Sequence, residues 1–183
     1  MKKRLLLLTG NPGVGKTTVL RKIVDSLKLK GFRVGGMLSQ EVRAGNARTG
    51  FEIIDLSTGR KGWLAQVSQK AGPHVGKYAV NIGDLERVGV EAIMRGAEFS
   101  DVVAIDEIGP MELFSEKFRR AVMLAVESSK LVLAVVHENS RDSLLTRLQR
   151  MEDSELYVVT VANRENLPMR ILETAFEFLS ASG

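Results

Sequence analysis

Apolar residues in this chain fall into short unbroken runs, separated by stretches in which they recur every three or four positions. The runs Leu5 to Thr9, Val102 to Ile105 and Leu131 to Val136 read as strands buried on both faces of a sheet, where neither side of the strand meets water. A shorter strand is expected around Arg33 to Leu38 and a last one from Tyr157 to Val161. Leu20, Ile23, Val24 and Leu27 follow the i, i+3, i+4, i+7 spacing of one helix face. That helix should stop near Lys30-Gly31, with lysine near the carbonyl end and glycine past it. Phe118, Ala121, Val122 and Ala125 mark a further helix, Leu144, Leu145 and Leu148 a short one, and Ile171, Leu172, Ala175 and Leu179 the closing helix. Strand and helix alternate, which predicts an α/β fold: a mainly parallel sheet with helices on both faces.

Residues from about 39 to 80 break the alternation. Phe51 to Leu56 reads as a strand, Ser57-Thr58-Gly59 as a turn and Lys61 to Val67 as the returning strand, an antiparallel β-hairpin inserted into the parallel core. Gly72 to Lys77 reads as a loop, and Asp84 as the opening of a helix through about Arg95, with Leu85, Val88 and Ala92 on one face. With neither repeats nor a linker composition, one domain over residues 1–183 is expected.

Composition narrows the classes. The 183 residues are 44% hydrophobic and 26% charged, ordinary for a globular domain. Cysteine is absent, which excludes disulfides, thiolate metal sites and cysteine nucleophiles and suits a cytoplasmic location. The start, Met1-Lys2-Lys3-Arg4 followed by four leucines, has a signal peptide's charge order but too short an apolar part, so a buried first strand is expected. Nothing approaches membrane-spanning length. A net charge of +4 suits a polyanionic ligand. The basic residues are scattered and aromatics make up only 5%, so nucleic acid is a weaker candidate partner than a small polyphosphate.

The ligand class is set by Gly10-Asn11-Pro12-Gly13-Val14-Gly15-Lys16-Thr17, which fits G-x-x-x-x-G-K-[ST] between a strand and a helix. Glycines let the backbone curl so that successive N–H groups, with the positive end of the helix, surround phosphate oxygens. Lys16 reaches the β- and γ-phosphates, and the Thr17 hydroxyl takes a Mg²⁺ position. Thr18 extends the nucleotide-binding run. The second half of the site is expected where the run at 102–105 ends in Asp106-Glu107. Asp106 is placed to hold Mg²⁺, and Glu107, one residue on, to act as general base for a water in line with the γ-phosphate. An acid pair of this kind favours hydrolysis by water.

Asp106-Glu107-Ile108-Gly109-Pro110-Met111-Glu112-Leu113 resembles a characteristic segment of the small thermophile-type nucleoside-triphosphatase family, which includes the cancer-related nucleoside triphosphatase of human. The resemblance extends to Gly10–Thr18, to Glu41 through Phe51, to Gly76 through Val80 and to Asn163 through Pro168, nearly the whole chain. It implies a RecA-like, three-layer αβα P-loop fold and Mg²⁺-dependent hydrolysis of ATP, GTP and other triphosphates to diphosphates. Many members carry lysine where this chain has Pro110, which removes a positive contact at that position.

Other candidates follow from position. Arg43 and Arg48 lie in the insertion, and either could neutralise charge developing on the γ-phosphate, with the resemblance favouring Arg48. His137 follows the run at 131–136, on the edge of the sheet where ligands bind. It reads either as a γ-phosphate sensor or as part of a turn with Asn139 and Ser140. Asn163 and Arg164 follow the last strand; the amide could read a base edge and the guanidinium stack on it, or Asn163 could cap a helix. Phe51 and Trp63 read as hairpin packing, and Glu112 as support for the metal site. Two other functions compete: a nucleotide or nucleoside kinase with Arg141, Arg147 and Arg150 as a lid, and a nucleotide-controlled RNA-binding switch.

Overall fold

The computed structural model describes residues 2–138 and 141–181. Among them nine strands form one sheet. The first is β1 (Leu5–Thr9), and the phosphate loop joins it to α1 (Lys16–Leu29). Next come β2 (Val34–Ala44), β3 (Ala47–Asp55), β4 (Lys61–Gln66), β5 (His74–Val75) and β6 (Tyr78–Val80). A helical segment then runs through α2 (Ile82–Asp84), a π-wound stretch Leu85–Val90 and α3 (Glu91–Phe99). The chain continues through β7 (Val102–Ile108), a 3₁₀ turn Glu112–Phe114, α4 (Glu116–Glu127), β8 (Leu131–Val136), α5 (Ser143–Arg150), β9 (Ser154–Val158) and α6 (Leu167–Leu179).

The sheet order is β5-β6-β4-β3-β2-β7-β8-β1-β9. Strands β2, β7, β8, β1 and β9 are mutually parallel, and β3, β4, β6 and β5 extend the sheet antiparallel. The three innermost parallel strands are the three unbroken apolar runs. Leu5 to Leu8 and Leu131 to Val136 are fully buried because helices cover both faces. Leu6 and Leu8 meet Leu20, Ile23 and Ile171 of α1 and α6. Leu5 and Leu7 belong to the opposite core, with Ile93, Phe118, Val122 and Leu148 of α3, α4 and α5. Each buried leucine contributes about 1.5–3 kcal/mol.

Four expectations are corrected. The strand around Arg33–Leu38 continues to Ala44; past Leu38 it pairs only with β3 and is largely exposed, so no apolar run marks it. The β3–β4 hairpin exists, its turn tied by Asp55 accepting from the Ser57 and Thr58 amides at 2.8 and 3.3 Å. It continues a first hairpin, β2–β3, that closes at Gly45-Asn46. The loop at Gly72 to Lys77 contains the short strand β5. The helix expected from Asp84 starts at Ile82, because the Asn81 side chain accepts from the Asp84 amide (2.9 Å), and it runs on to Phe99. The last strand lies at Ser154–Val158, earlier than Tyr157–Val161. No described helix is long and apolar enough to cross a membrane.

Candidate functional site

The parallel strands β2, β7, β8 and β1 point their C-terminal ends to one edge, where a cleft of about 810 Å³ opens. Its floor is the phosphate loop. Gly10, Gly13 and Gly15 hold φ values of 147°, 76° and 107°, which side-chain-bearing residues rarely adopt. A Cβ on Gly10 would also come within 2.5 Å of the Val159 carbonyl oxygen, so the loop is pinned against the segment after β9. Gly15 precedes the first turn of α1, whose unpaired amides open toward the cleft. Lys16 donates from Nζ to the carbonyls of Gly10 (2.7 Å) and Asn11 (3.1 Å), curled over its own loop. Asn11, Pro12 and Gly13 line the cleft with it. Val14 turns partly into the core beneath α1 and α6. Thr18 is exposed one position beyond Thr17.

Strand β8 lies between β1 and β7, so loop and acidic pair sit roughly 9–10 Å apart along the sheet. The Thr17 side chain crosses that gap and donates from Oγ1 to Asp106 Oδ1 at 3.1 Å. The other oxygen, Oδ2, accepts from the Ser39 hydroxyl (3.2 Å) and amide (3.4 Å), and Arg21 donates to the Ser39 carbonyl (3.1 Å). Asp106 is 0% exposed. Burial, with the neighbouring Glu107 charge, raises its pKa to about 6 against the opposing hydrogen bonds from Thr17 and Ser39. Glu107 lines the cleft; burial raises its pKa too, while the charges of Lys16 and His137 hold it down. A carboxylate so placed can take a proton from a water at the phosphate end of the cleft.

Behind the pair, Glu112 is buried in the 3₁₀ turn and accepts from the Gly109 amide at 3.2 Å. Burial, reinforced by Glu107 and Asp106, raises its pKa to about 8 from an ordinary 4.5. Between those values the folded chain holds a proton the unfolded chain has lost, so Glu112 makes stability fall as pH rises from about 4.5 to about 8. The Glu112→Gln variant should match the parent near pH 4 and exceed its unfolding free energy by more than about 1 kcal/mol at pH 9. Parallel denaturation curves at the two pH values check this.

His137 lines the cleft, its amide donating to the Ile108 carbonyl (3.2 Å). Its Nδ1 is buried with no hydrogen-bond partner among the described residues. The alternative turn with Asn139 and Ser140 falls outside the described residues. Arg48 lines the cleft and Arg43 does not; Arg43 pairs with Glu41 and the Asn46 carbonyl on the hairpin.

The Asn163 side chain accepts from the Thr160 amide (2.8 Å) and donates to the Val158 carbonyl (2.8 Å). It ties the turn after β9 and does not cap α6, which Asn166 precedes. Arg164 lies against the outside of the phosphate loop, donating to the Val14 carbonyl at 3.3 Å. Pro110 is exposed and outside the cleft lining. The same holds for Arg141, Arg147 and Arg150, with Arg147 paired to Glu127 (3.4 Å), so they form no lid. Sequence reasoning missed Ser39, Arg21, Gln40 and Glu41 as cleft residues. Ser39 follows the buried part of β2, but the strand runs on to Ala44 and leaves no end to mark it.

No described group of three or more His, Cys, Asp or Glu residues could hold a metal ion. One buried carboxylate beside a hydroxyl could supply oxygen donors to a cation that draws its remaining ligands from phosphate and water.

Comparison with known proteins agrees with this geometry. The family described as NTPase matches residues 5–172. The nucleoside-triphosphatase THEP1 of Thermofilum pendens is 49% identical over 93% of this chain and 94% of its own. That of Methanothermobacter thermautotrophicus is 42% identical over 92% and 94%. The crystal structure of THEP1 from Aquifex aeolicus superposes with a TM-score of 0.82 at 34% identity, covering 94% of this chain and 98% of that one. The solution structure of a human cancer-related nucleoside triphosphatase gives 0.78 at 31% identity, covering 93% and 96%. By sequence, by the parallel sheet flanked by helices and by the loop on its edge, the chain belongs to this nucleoside-triphosphatase family.

Proposed function

We propose that the chain, acting as one catalytic unit, is a Mg²⁺-dependent nucleoside triphosphatase that converts ATP, GTP and related triphosphates to diphosphate and phosphate. The observation that carries this reading is the contact of Thr17 with Asp106 beside the loop, with Glu107 in the same cleft. The family relatives bear the same activity in their names.

In this reading the loop amides and Lys16 hold the phosphates, Lys16 exchanging its two loop carbonyls for phosphate oxygens. Thr17 and Asp106 would hold Mg²⁺, which would supply positive charge to the triphosphate. Ser39 fixes the rotation of the Asp106 carboxylate so that Oδ1 faces Thr17. Glu107 takes the proton of the attacking water as its oxygen bonds to the γ-phosphorus and the bridging bond to the β-phosphate oxygen breaks. His137, in the cleft lining, orients that water or the γ-phosphate. Arg48 offers positive charge from the cleft lining, and Arg164 borders the loop at the Val14 carbonyl. The lack of cysteine suits a cytoplasmic enzyme.

Phosphate release should proceed with ATP and GTP alike without any added acceptor. It should fall to background when EDTA removes Mg²⁺, and RNA should leave it unchanged. A strict requirement for an acceptor would make the protein a kinase, and strong stimulation by RNA would make it a nucleic-acid-controlled switch.

A further inference from the structure

The inserted strands carry a cluster at the cleft that hydrolysis by water does not require. Arg48 of β3 donates from one terminal nitrogen to Glu41 Oε1 (2.7 Å) and from Nε to the Tyr78 hydroxyl (2.9 Å). Its guanidinium carbon lies 5.2 Å from the Phe51 ring centre and 5.7 Å from that of Tyr78. The two rings meet edge to face at 5.2 Å. Three strands thus fix one cation, whose pairing with Glu41 cancels most of its charge toward the cleft. Glu41, Arg48 and Phe51 all line the cleft that contains the phosphate loop.

Contacts already described place this cluster next to the Thr17–Asp106–Ser39 chain. Thr17 touches one oxygen of Asp106, and Ser39 touches the other. Glu41 is two residues past Ser39 on β2, so both side chains leave the same face, about 7 Å apart. Arg48 is therefore next along the cleft after the metal-side residues. Glu41 and Arg48 thus share one cleft with Lys16, Thr17 and Glu107.

We propose that the Arg48–Glu41 pair is the element by which the cleft tells a triphosphate from a diphosphate. A γ-phosphate competes with Glu41 for the guanidinium. Arg48 turns toward the phosphate while the two rings keep hold of its plane, and Glu41 is released to water. With a diphosphate nothing replaces Glu41, and the pair stays closed. Glu41 thereby weakens triphosphate binding and leaves diphosphate binding unchanged.

This rests on the triphosphatase reading, and the test separates the two. ADP and the β,γ-imido analogue of ATP are titrated with Mg²⁺ into the full chain by calorimetry, in the parent, Glu41→Gln, Arg48→Ala and the double variant. Both side chains are two-fifths exposed, so the variants should keep the fold. The glutamine variant should bind the analogue about tenfold more tightly, with ADP altered less than about twofold. Removing Arg48 should weaken the analogue selectively, and the double variant should match Arg48→Ala. The discriminator is overturned if Glu41→Gln tightens both ligands equally, or if its effect persists without Arg48. If the parent binds neither ligand, the triphosphatase reading falls and takes the discriminator with it. If the parent binds both and the variants do not discriminate, only the discriminator is lost.

Discussion

Replacing Glu107 by glutamine is expected to leave nucleotide binding intact and to lower turnover by at least ~10²-fold. Glutamine keeps the shape and removes the proton acceptor. The Glu107 side chain rests against Gly109, where a Cβ would meet Glu107 Oε1 at 2.9 Å, and an isosteric amide fits the same groove. Loop glycines, Lys16 and the Thr17–Asp106 contact do not depend on the Glu107 charge, so the dissociation constant should move by less than about threefold. Two measurements settle it: calorimetric titration with nucleotide and steady-state phosphate release. Turnover near the parent's would remove Glu107 from the chemistry and direct attention to His137.

The largest expected effect on stability comes from Gly36→Ala. Gly36 lies inside β2 with φ 101°, and a Cβ there would sit 2.0 Å from the Ala104 carbonyl oxygen of β7. From the other side, a Cβ on Gly96 of α3 would lie 2.9 Å from the Gly36 nitrogen. Helix backbone rests on strand backbone at this point, and no rotamer change can make room. A single methyl should cost about 4 kcal/mol or more, which lowers the melting temperature by on the order of 10 °C. Thermal denaturation of the purified variant checks it, and an unchanged melting temperature would contradict so close an approach.

These two positions show what the sequence made legible. Asp106 and Glu107 stood out because a run buried on both faces ended abruptly in two acids, and strand ends on a parallel sheet meet at one edge. His137 followed by the same logic, and the helices of the core by their apolar faces. Ser39 escaped because the strand that carries it keeps going in an exposed, polar form, so its buried part had no visible end. The turn that Asn163 ties was not legible, because a side chain that closes its own turn looks, in sequence, like one left free for a ligand. Gly36 and Gly96 lie sixty residues apart, and only the crossing of α3 over β2 gives them a shared meaning. The Arg48 cluster drew on strands β2, β3 and β6, whose pairing no local pattern specifies.

Strand β8 fixes more than a distance. Because it is packed on both faces and wedged between β1 and β7, shifting it by one residue would turn every side chain to the wrong core and carry His137 about 3.3 Å along the edge. Errors in the reacting geometry and errors in the interior are therefore the same event, and the chemistry is inherited with the fold as one piece. Room for change lies where neither core nor cleft is at stake, as at the exposed turn Thr58 to Arg60 between β3 and β4.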